Sequence, residues 1–345
     1  MPLRYRLTKS LFMMPVMMIA IAAHAQKVQL NNHTVPVGKP GALIGQLFNG
    51  AAPAKAAKLV EDTSGLFTIA KNGEIRLKKR ASLVKEDAAY QYAITVSTAA
   101  GKEGFILVKD NFNRNKVVAH RGAWKHHEGS QNSLTSFRDA VKLGCEGSEF
   151  DVWLSSDGVP VLSHDPEIGG KKVEETPVAE LKKVELKNGE VVPTFEEFIR
   201  EGMKQNTTKM VLELKPSRVS KERGQQLAQA CMDLIRQYKC EGWMLYISFD
   251  YDICKKVVAI DPHAKVAYLN GEKSPAELAA DKIWGFDYNW KVIDKDMNIF
   301  KEARKHKVTV NIWTVNQPGQ MDTYLKAGAD FLTTDEPEMA LEKVK

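Results

Sequence analysis

Charged residues occur in pairs, two positions apart, in two apolar stretches of the chain. Glu149 and Asp151 lie in the run EFDVWL, and Glu213 and Lys215 lie in the run VLELK. Residues two apart point to the same face of a strand, so each pair presents its charges together. Three carboxylates that converge repel one another unless a cation neutralises them. Because all three side chains offer hard oxygen ligands, the pattern predicts a site for one divalent cation, Mg²⁺ or Ca²⁺.

Two histidines lie near these carboxylates in the sequence. His120 belongs to the segment AHRG, and His164 belongs to the segment LSHD. An imidazole with its ordinary pKa of about 6.5 gives or takes a proton at neutral pH. Histidines beside a cation held by carboxylates suit attack on a phosphate ester. We therefore predict that His120 is the base and His164 the acid, with the reverse assignment left open.

Four further residues are candidates for contact with the substrate. A guanidinium matches two phosphate oxygens and an ammonium adds a point charge, so Arg121 and Lys215 are predicted to bind the phosphate. The alternative is an ion pair with the carboxylates. Asn132 is predicted to orient the first loop or to cap the helix after it. Trp313 ends a predicted strand, where it either lines the pocket or belongs to the core.

Strand-like and helix-like patterns alternate from Val117 onward. Eight such strands with intervening helices predict a TIM (β/α)8 barrel, whose active site lies at the carboxyl ends of the strands. The predicted helices include 134–143, 195–203, 224–238, 252–260 and 297–306. The predicted strands are 117–120, 147–154, 209–214, 244–248, 264–269, 284–288, 308–313 and 330–334.

The run PVLSHD at 160–165 would be a ninth strand. The turn SSDG before it is too short to contain a crossover helix. We therefore predict a hairpin that turns at Asp157 and Gly158 and folds back. This hairpin would return His164 to the top of the barrel, near Glu149 and Asp151.

The first third of the chain has a different character. Residues 1–26 combine a basic start, an apolar run and the sequence Ala23-His24-Ala25, which predicts a cleavable signal peptide and an exported, periplasmic or extracellular protein with no transmembrane anchor after cleavage. Residues 27–110 contain short strand-like runs that predict an all-β sandwich. Part of this segment resembles a cadherin-type repeat, which implies either a spacer or a module that contacts protein or glycan. The polar residues 110–116 are predicted to form a linker.

The charge composition of the chain argues against some classes of binding partner. Removing the leader with its three basic residues leaves 46 basic against 43 acidic residues, a net charge of +3. This charge is too small to indicate binding to nucleic acid or to an anionic membrane, so attraction for a phosphate must be local. Four cysteines without metal-ligand spacing are interpreted as buried thiols, and the alternative is a disulfide between Cys240 and either Cys231 or Cys254.

Several motifs in residues 116–345 resemble those of the glycerophosphodiester phosphodiesterase family. They occur in the family's order as AHRG at 119–122, QNSLTSF at 131–137, EFDVWLSSDGVPVLSHD at 149–165, LELKPS at 212–217, ISFD at 247–250, WTVN at 313–316 and GADFLTTDEP at 328–337. The resemblance implies hydrolysis of a small glycerophosphodiester to glycerol 3-phosphate and an alcohol, through a cyclic phosphate. One departure is that Ser130, Gln131 and Asn132 replace the usual Pro-Glu-Asn.

Two other functions compete with this one. A phospholipase-type lyase would use the same barrel on a whole lipid, but it would need an apolar rim that the sequence does not supply. A catalytically inactive binding protein agrees with the loss of the glutamate at Gln131. The complete set of histidines, carboxylates and lysine argues against inactivity.

Overall fold

The computed structural model describes residues 28–80 and 89–344. The predicted signal peptide, residues 1–26, lies outside these residues.

Within residues 28–80 and 89–109, nine short strands form two facing sheets. One sheet has the order β1-β3-β7-β6 with β4 beside β3, and the other has the order β2-β9-β8-β5. Alternate residues of both sheets, such as Ile75 and Ile94, share one apolar core, which confirms a β sandwich. The cadherin-type resemblance stays a prediction. The strands are Val28–Leu30 (β1), Thr34–Val35 (β2), Leu43–Asn49 (β3), Ala52–Pro53 (β4), Lys58–Asp62 (β5), Phe67–Ile69 (β6), Glu74–Leu77 (β7), Gln91–Thr98 (β8) and Gly101–Lys109 (β9).

Eight parallel strands form a closed barrel, in which the first strand pairs with both the second and the last. The predicted TIM barrel is therefore confirmed, and each strand lies at its predicted place to within two residues. The barrel strands are Val117–Ala119 (β10), Gly147–Leu154 (β11), Lys209–Leu214 (β15), Met244–Ser248 (β16), Val266–Tyr268 (β17), Gly285–Asn289 (β18), Thr309–Trp313 (β19) and Phe331–Thr334 (β20).

Helices follow the barrel strands and cover them from outside. Local capping fixes where several of them begin: Ser133 accepts a hydrogen bond from the N–H of Ser136, and Thr194 forms a capping box with Glu197. Among the described residues, no helix has the length and apolar character that crossing a membrane requires. The helices are Leu134–Leu143 (α1), Val178–Leu181 (α2), Phe195–Gly202 (α3), Lys221–Tyr238 (α4), Tyr251–Ile260 (α5), Pro275–Ala280 (α6), Trp290–Ile293 (α7), Ile299–His306 (α8), Pro318–Ala327 (α9) and Pro337–Lys343 (α10).

The predicted hairpin is present after β11. Strand Pro160–Leu162 (β12) runs antiparallel to the end of β11, with Trp153 opposite Val161. Gly158 adopts a φ of 84°, which the tight turn requires and which glycine accepts without a steric penalty. The Ser163 N–H then donates to the Asp151 carbonyl, so the returning chain carries His164 to the top of the barrel. Two further short strands follow, Glu167–Ile168 (β13) and Lys171–Lys172 (β14).

The sandwich packs on the opposite, amino-terminal face of the barrel. The Tyr90 hydroxyl donates to the Met203 carbonyl at 3.1 Å, and the Asn206 amide donates to the Lys109 carbonyl at 2.9 Å. Phe112 lies inside the predicted linker, yet it is buried with its ring centroid 6.5 Å from that of Trp243. The segment 110–116 is thus part of the interface, because its one large apolar side chain fills the base of the barrel. The four cysteines, all in described residues, are buried and free, as predicted.

Candidate active site

Three buried carboxylates converge at the carboxyl ends of two neighbouring strands. Glu149 and Asp151 lie on the inward face of β11, and Glu213 lies on the inward face of β15. The register places Asp151 directly beside Glu213. One oxygen from each of the three side chains lies within 4.8 Å of the others, and the three residues are at most 7% exposed. The geometry is that of a cation site, as the sequence predicts.

Two cations of the chain partly neutralise these carboxylates. The Lys215 ammonium lies 3.0 Å from Asp151 Oδ1 and 2.8 Å from Glu213 Oε1. The guanidinium Nε of Arg121 lies 3.7 Å from Asp151 Oδ2. Three carboxylates against two fixed cations leave an excess of one negative charge when all are ionised. The cluster therefore attracts a further cation.

Burial and repulsion make the protonation of the carboxylates unequal. Burial and the neighbouring Asp151 raise the pKa of Glu149 well above its usual value, and the same two causes raise the pKa of Glu213 to about 8. Burial would also raise the pKa of Asp151, but Lys215 and the Asn132 amide outweigh burial and lower it. Burial opposes the charge of Lys215, yet Asp151 and Glu213 raise its pKa to about 12. The pKa of Asp151 is thus shifted in the opposite direction to the pKa values of Glu149 and Glu213.

The donor set fits a divalent cation such as Mg²⁺ or Ca²⁺. The ligands are carboxylate oxygens, which these hard ions prefer. The backbone N–H of Arg121 donates a hydrogen bond to Glu149 Oε2. The other oxygen, Glu149 Oε1, is buried and has no hydrogen-bond partner among the described residues. A buried carboxylate oxygen without a partner costs stability unless something pairs with it. A cation bound among the three side chains would supply that partner.

The first loop holds Arg121 and Asn132 in place through the left-handed conformation of both residues, with φ values of 57° and 59°. The Asn132 side chain both donates to Asp151 Oδ2 and accepts the Asp151 N–H, each at 2.9 Å. These two hydrogen bonds tie the first loop to Asp151, which agrees with the orienting role predicted for Asn132. The helix after the loop is capped by Ser133 and not by Asn132. Gly122, with a φ of 80°, cannot carry a Cβ because that atom would lie 2.4 Å from Ser136 Oγ.

Gln131 occupies the position at which the resemblance leads one to expect a glutamate. Its Oε1 accepts a hydrogen bond from Arg121 Nη1 at 2.6 Å. The amide thus keeps the acceptor for the guanidinium and removes one negative charge from the mouth of the site. In this chain Gln131 therefore helps to hold the Arg121 guanidinium in place.

His120 is positioned by a chain of hydrogen bonds from the last strand. Its Nδ1 lies 2.7 Å from Asp335 Oδ1, and Asp335 Oδ2 accepts from the Asn316 amide at 2.7 Å. This carboxylate fixes the orientation of the ring. Asp335 and Asn316 were not among the predicted site residues, although both lie in the motifs GADFLTTDEP and WTVN.

His164 lies at the mouth of the site. Its Nδ1 is 2.8 Å from Asp165 Oδ1, and its side chain is 38% exposed. Burial of the other part of the ring lowers the pKa of His164, an effect that the nearby Asp151 only partly offsets. A lowered pKa makes the imidazolium a stronger acid.

The predicted residues surround one cavity of about 80 Å³. Asp151 does not line this cavity, but it pairs with Lys215, which does. Asn132 lines an adjoining cleft. The Trp313 side chain lines the cavity and donates through Nε1 to the Asp287 carbonyl at 2.9 Å, so it has both predicted roles. The predicted residues that line the cavity are His120, Arg121, Glu149, His164, Glu213, Lys215 and Trp313.

Sequence reasoning missed one ionisable residue of the cavity. Asp287 lies on the inward face of β18, where it is 1% exposed. The only signal in the sequence is a single acidic residue within the aromatic run WGFDYNW. One acid in a strand is more often an edge residue, so the run by itself did not point to a site.

Two open clefts adjoin the cavity on either side of His164. The larger, about 690 Å³, lies between the first loop and the segment 162–188, and the smaller, about 390 Å³, lies beside Pro216 and Phe249. A bound ester could therefore extend from the cavity past His164 into open space.

Comparison with known proteins identifies the relatives of this barrel. Residues 120–339 match the Glycerophosphoryl diester phosphodiesterase family. A glycerophosphodiester phosphodiesterase of Caldanaerobacter subterraneus subsp. tengcongensis is 28% identical over 248 residues, which are 66% of this chain and 97% of that protein. These matches leave the amino-terminal sandwich outside.

Solved structures show the same fold. The crystal structure of a glycerophosphodiester phosphodiesterase from Parabacteroides distasonis is 38% identical, with a TM-score of 0.65, and the match covers 68% of this chain and 98% of that one. An Oleispira antarctica phosphodiesterase, solved in complex with the product sn-glycerol-3-phosphate, is 23% identical with a TM-score of 0.59, over 66% of this chain and 96% of that one.

The carboxylate cluster leads to a prediction about cation binding. Glu213→Gln should weaken the binding of Mg²⁺ and Ca²⁺ by about tenfold or more, because it removes an anionic ligand. Wild-type affinity should rise between about pH 6 and pH 8, because a carboxyl with a pKa of about 8 must lose its proton as the ion binds. Isothermal titration calorimetry at several pH values measures both effects.

Glu241→Gln is the matched control, since Glu241 is a buried carboxyl before β16, at the opposite face of the barrel. It should leave cation affinity unchanged. An unchanged affinity in Glu213→Gln would remove that residue from the ligand set.

Proposed function

The chain belongs to the glycerophosphoryl diester phosphodiesterase family and is a phosphoric diester hydrolase. On that premise we propose that it hydrolyses glycerophosphodiesters to glycerol 3-phosphate and an alcohol, with one bound divalent cation. The observation that carries the proposal is that two histidines, two carboxylates of the cluster and two cations line one cavity, with Asp151 held directly against Lys215. The product named in the Oleispira antarctica complex is the one that this reaction would release.

Glu149, Asp151 and Glu213 would hold the cation, Mg²⁺ or Ca²⁺. When bound, it would polarise a phosphoryl oxygen and the attacking hydroxyl. Its charge would change the excess of one negative charge in the cluster to an excess of one positive charge. The cavity would then match the single negative charge of a phosphodiester.

Arg121 and Lys215 would orient the phosphate. Both side chains line the cavity, and both are already held by carboxylates or by Gln131. Side chains that are fixed before the substrate arrives lose little freedom when they bind it. The two cations would therefore place the phosphorus between the two histidines.

The route we favour begins with attack by the glycerol hydroxyl next to the phosphate. His120 Nε2 would take the proton of that hydroxyl as the new P–O bond forms, with Asp335 stabilising the resulting imidazolium. His164 would donate a proton to the departing alcohol as the second P–O bond breaks. The product is a cyclic phosphate. Water would then open the ring while the two histidines exchange roles.

The surroundings of the cavity favour this function over the two alternatives. A lyase that accepts whole phospholipid would need an apolar rim, whereas the larger cleft carries polar and charged side chains, including Glu128, Asp165 and Lys187. A catalytically inactive binding protein would not require the buried hydrogen bonds that orient His120.

We also propose that the protein is exported. The support is the leader-like sequence of residues 1–26, in which an apolar run precedes Ala23-His24-Ala25. A contact of the sandwich with protein or glycan stays a prediction.

The proposed reaction has a direct test. The purified protein should release glycerol 3-phosphate from glycerophosphocholine in the presence of Mg²⁺ or Ca²⁺. Treatment with EDTA should abolish release, and returning the ion should restore it. Coupled assay of glycerol 3-phosphate is the measurement. No release with either ion would count against the function, and release that EDTA does not affect would count against the cation.

If the protein is exported, its leader should be cleaved, and the mature chain should have a defined first residue. Expressed with its leader in a bacterium that secretes proteins, the chain should be recovered beginning at Gln26, after cleavage behind Ala25, or at Lys27, after removal of all of residues 1–26. Mass spectrometry of the intact protein reads this end. A recovered protein that still begins at Met1 would contradict cleavage.

The two histidines should respond differently to the leaving group. Removal of a general acid or base costs a factor of about 10² to 10⁴, and loss of the acid matters less when the leaving group needs no proton. His164→Ala should therefore lose much more activity on glycerophosphocholine than on glycerol 3-(4-nitrophenyl phosphate). His120→Ala should lose activity on both esters. Steady-state kinetics, with formation of the cyclic ester limiting the rate, provides the comparison.

His126→Ala is the control, because His126 lies in the exposed part of the first loop and pairs with Glu336. It should retain activity on both esters. The reverse pattern would exchange the roles of His120 and His164. Equal losses on both substrates would mean that the histidines place the phosphate and that another group transfers the proton.

A further inference from the structure

Asp287 is a buried carboxyl group without a partner, and it faces the cavity. The residue is 1% exposed, and neither side-chain oxygen has a hydrogen-bond partner among the residues that the structure describes. Its backbone carbonyl accepts from Trp313, but that bond does nothing for the carboxyl group. A buried polar group in this state costs stability. Such a cost indicates that the partner arrives with a ligand.

Among the described residues, the group of carboxylates that could hold a cation does not include Asp287. The three carboxylates that come within 4.8 Å of one another are Glu149, Asp151 and Glu213. Asp287 stands outside this set, on β18, and the wall beside it includes the apolar side chains of Ile247 and Leu269. Burial, together with repulsion from Glu213, raises the pKa of Asp287 well above its usual value. A carboxyl oxygen accepts a hydrogen bond from an alcohol O–H in either protonation state, so the group suits a hydroxyl.

The shape of the site tells which part of the ester lies here. The cavity of about 80 Å³ is the deep end, whereas clefts of about 690 and 390 Å³ open on either side of His164. The leaving alcohol must lie beside His164, and the clefts give it room. The glycerol group is small and the same in every substrate of this class. It therefore fits the deep end, where Asp287 lies.

We propose, on the basis of the proposed function, that Asp287 is a specificity-determining residue that hydrogen-bonds the terminal hydroxyl of the glycerol group. The neighbouring hydroxyl remains free to attack the phosphorus. A site whose buried polar group needs a hydroxyl rejects an analogue without it, because that group is then left unpaired. The enzyme would thus recognise glycerol rather than any diol next to a phosphate.

A pair of product-like ligands tests this role. Glycerol 3-phosphate carries the terminal hydroxyl, and propane-1,2-diol 1-phosphate lacks it while keeping the other groups. With a divalent ion present, the wild type should bind glycerol 3-phosphate about tenfold more tightly or better, since one buried hydrogen bond is worth about that factor. Isothermal titration calorimetry measures both affinities.

Variants at Asp287 then remove the preference. Asp287→Leu should bind the two ligands equally, and Asp287→Asn should keep part of the preference because an amide oxygen also accepts a hydrogen bond. On the matching diesters, Asp287→Leu should raise KM for the glycerol ester and leave the deoxy ester unaffected. Glu241→Gln, which changes a buried carboxyl at the opposite face of the barrel, should retain the wild-type preference.

Thermal unfolding provides a separate readout. Without ligand, Asp287→Leu should melt at a higher temperature than the wild type, because it removes a buried unpaired carboxyl group. Asp287→Ala repeats the binding comparison if leucine is too large for the cavity.

Three results would overturn the inference: a wild type that binds both ligands equally, a leucine or alanine variant that keeps the full preference, or a loss of cation affinity in Asp287→Leu as large as in Glu213→Gln. The last result would make Asp287 a cation ligand. Failure of the proposed function would give a different result from failure of this inference. In that case the wild-type protein itself would hydrolyse no glycerophosphodiester.

Discussion

The site depends on the burial of three mutually repelling carboxylates at one end of the barrel. Each is an expensive group to remove from water, and their proximity adds to the cost. Lys215 lies between Asp151 and Glu213 and offsets part of it. The compensation is incomplete, since Glu149 keeps an unpaired buried oxygen. The cluster is therefore stable enough to fold and still short of positive charge, which is what a site for a cation and an anionic ester requires.

The parallel barrel is what makes this convergence possible. Neighbouring parallel strands bring their carboxyl ends to the same rim, and the register sets Asp151 beside Glu213. Groups that no strand end supplies reach the rim in two other ways. The first loop bends through left-handed residues at Arg121 and Asn132, and the hairpin after β11 folds back to deliver His164. The strands thus hold the carboxylates, while the loop and the hairpin bring Arg121 and His164 to the same rim.

Local patterns sufficed to predict much of this arrangement. Strand periodicity located the eight barrel strands, and the two-residue spacing of Glu149 and Asp151 indicated a shared face. The short SSDG turn was enough to distinguish a hairpin from a crossover. What could not be predicted depends on contacts between distant segments. The pairing of His120 with Asp335 spans 215 positions, and Phe112 in the predicted linker is buried against Trp243 and Lys209, which are distant in the sequence. Asp287 has no local pattern at all.

One end of the barrel is covered by apolar packing, and the other end carries the candidate active site. The sandwich covers the amino-terminal face, where the side chains of Phe112 and Trp243 are buried in a shared apolar core. Every residue that lines the cavity or its two clefts lies between positions 120 and 333, so the sandwich supplies none of them. At the opposite end, Glu149 and Asp287 keep buried oxygens without partners. Apolar packing at the amino-terminal face offsets the free-energy cost of burying unpaired oxygens at the carboxyl-terminal face. The barrel can therefore keep polar groups unpaired where a ligand is to meet them.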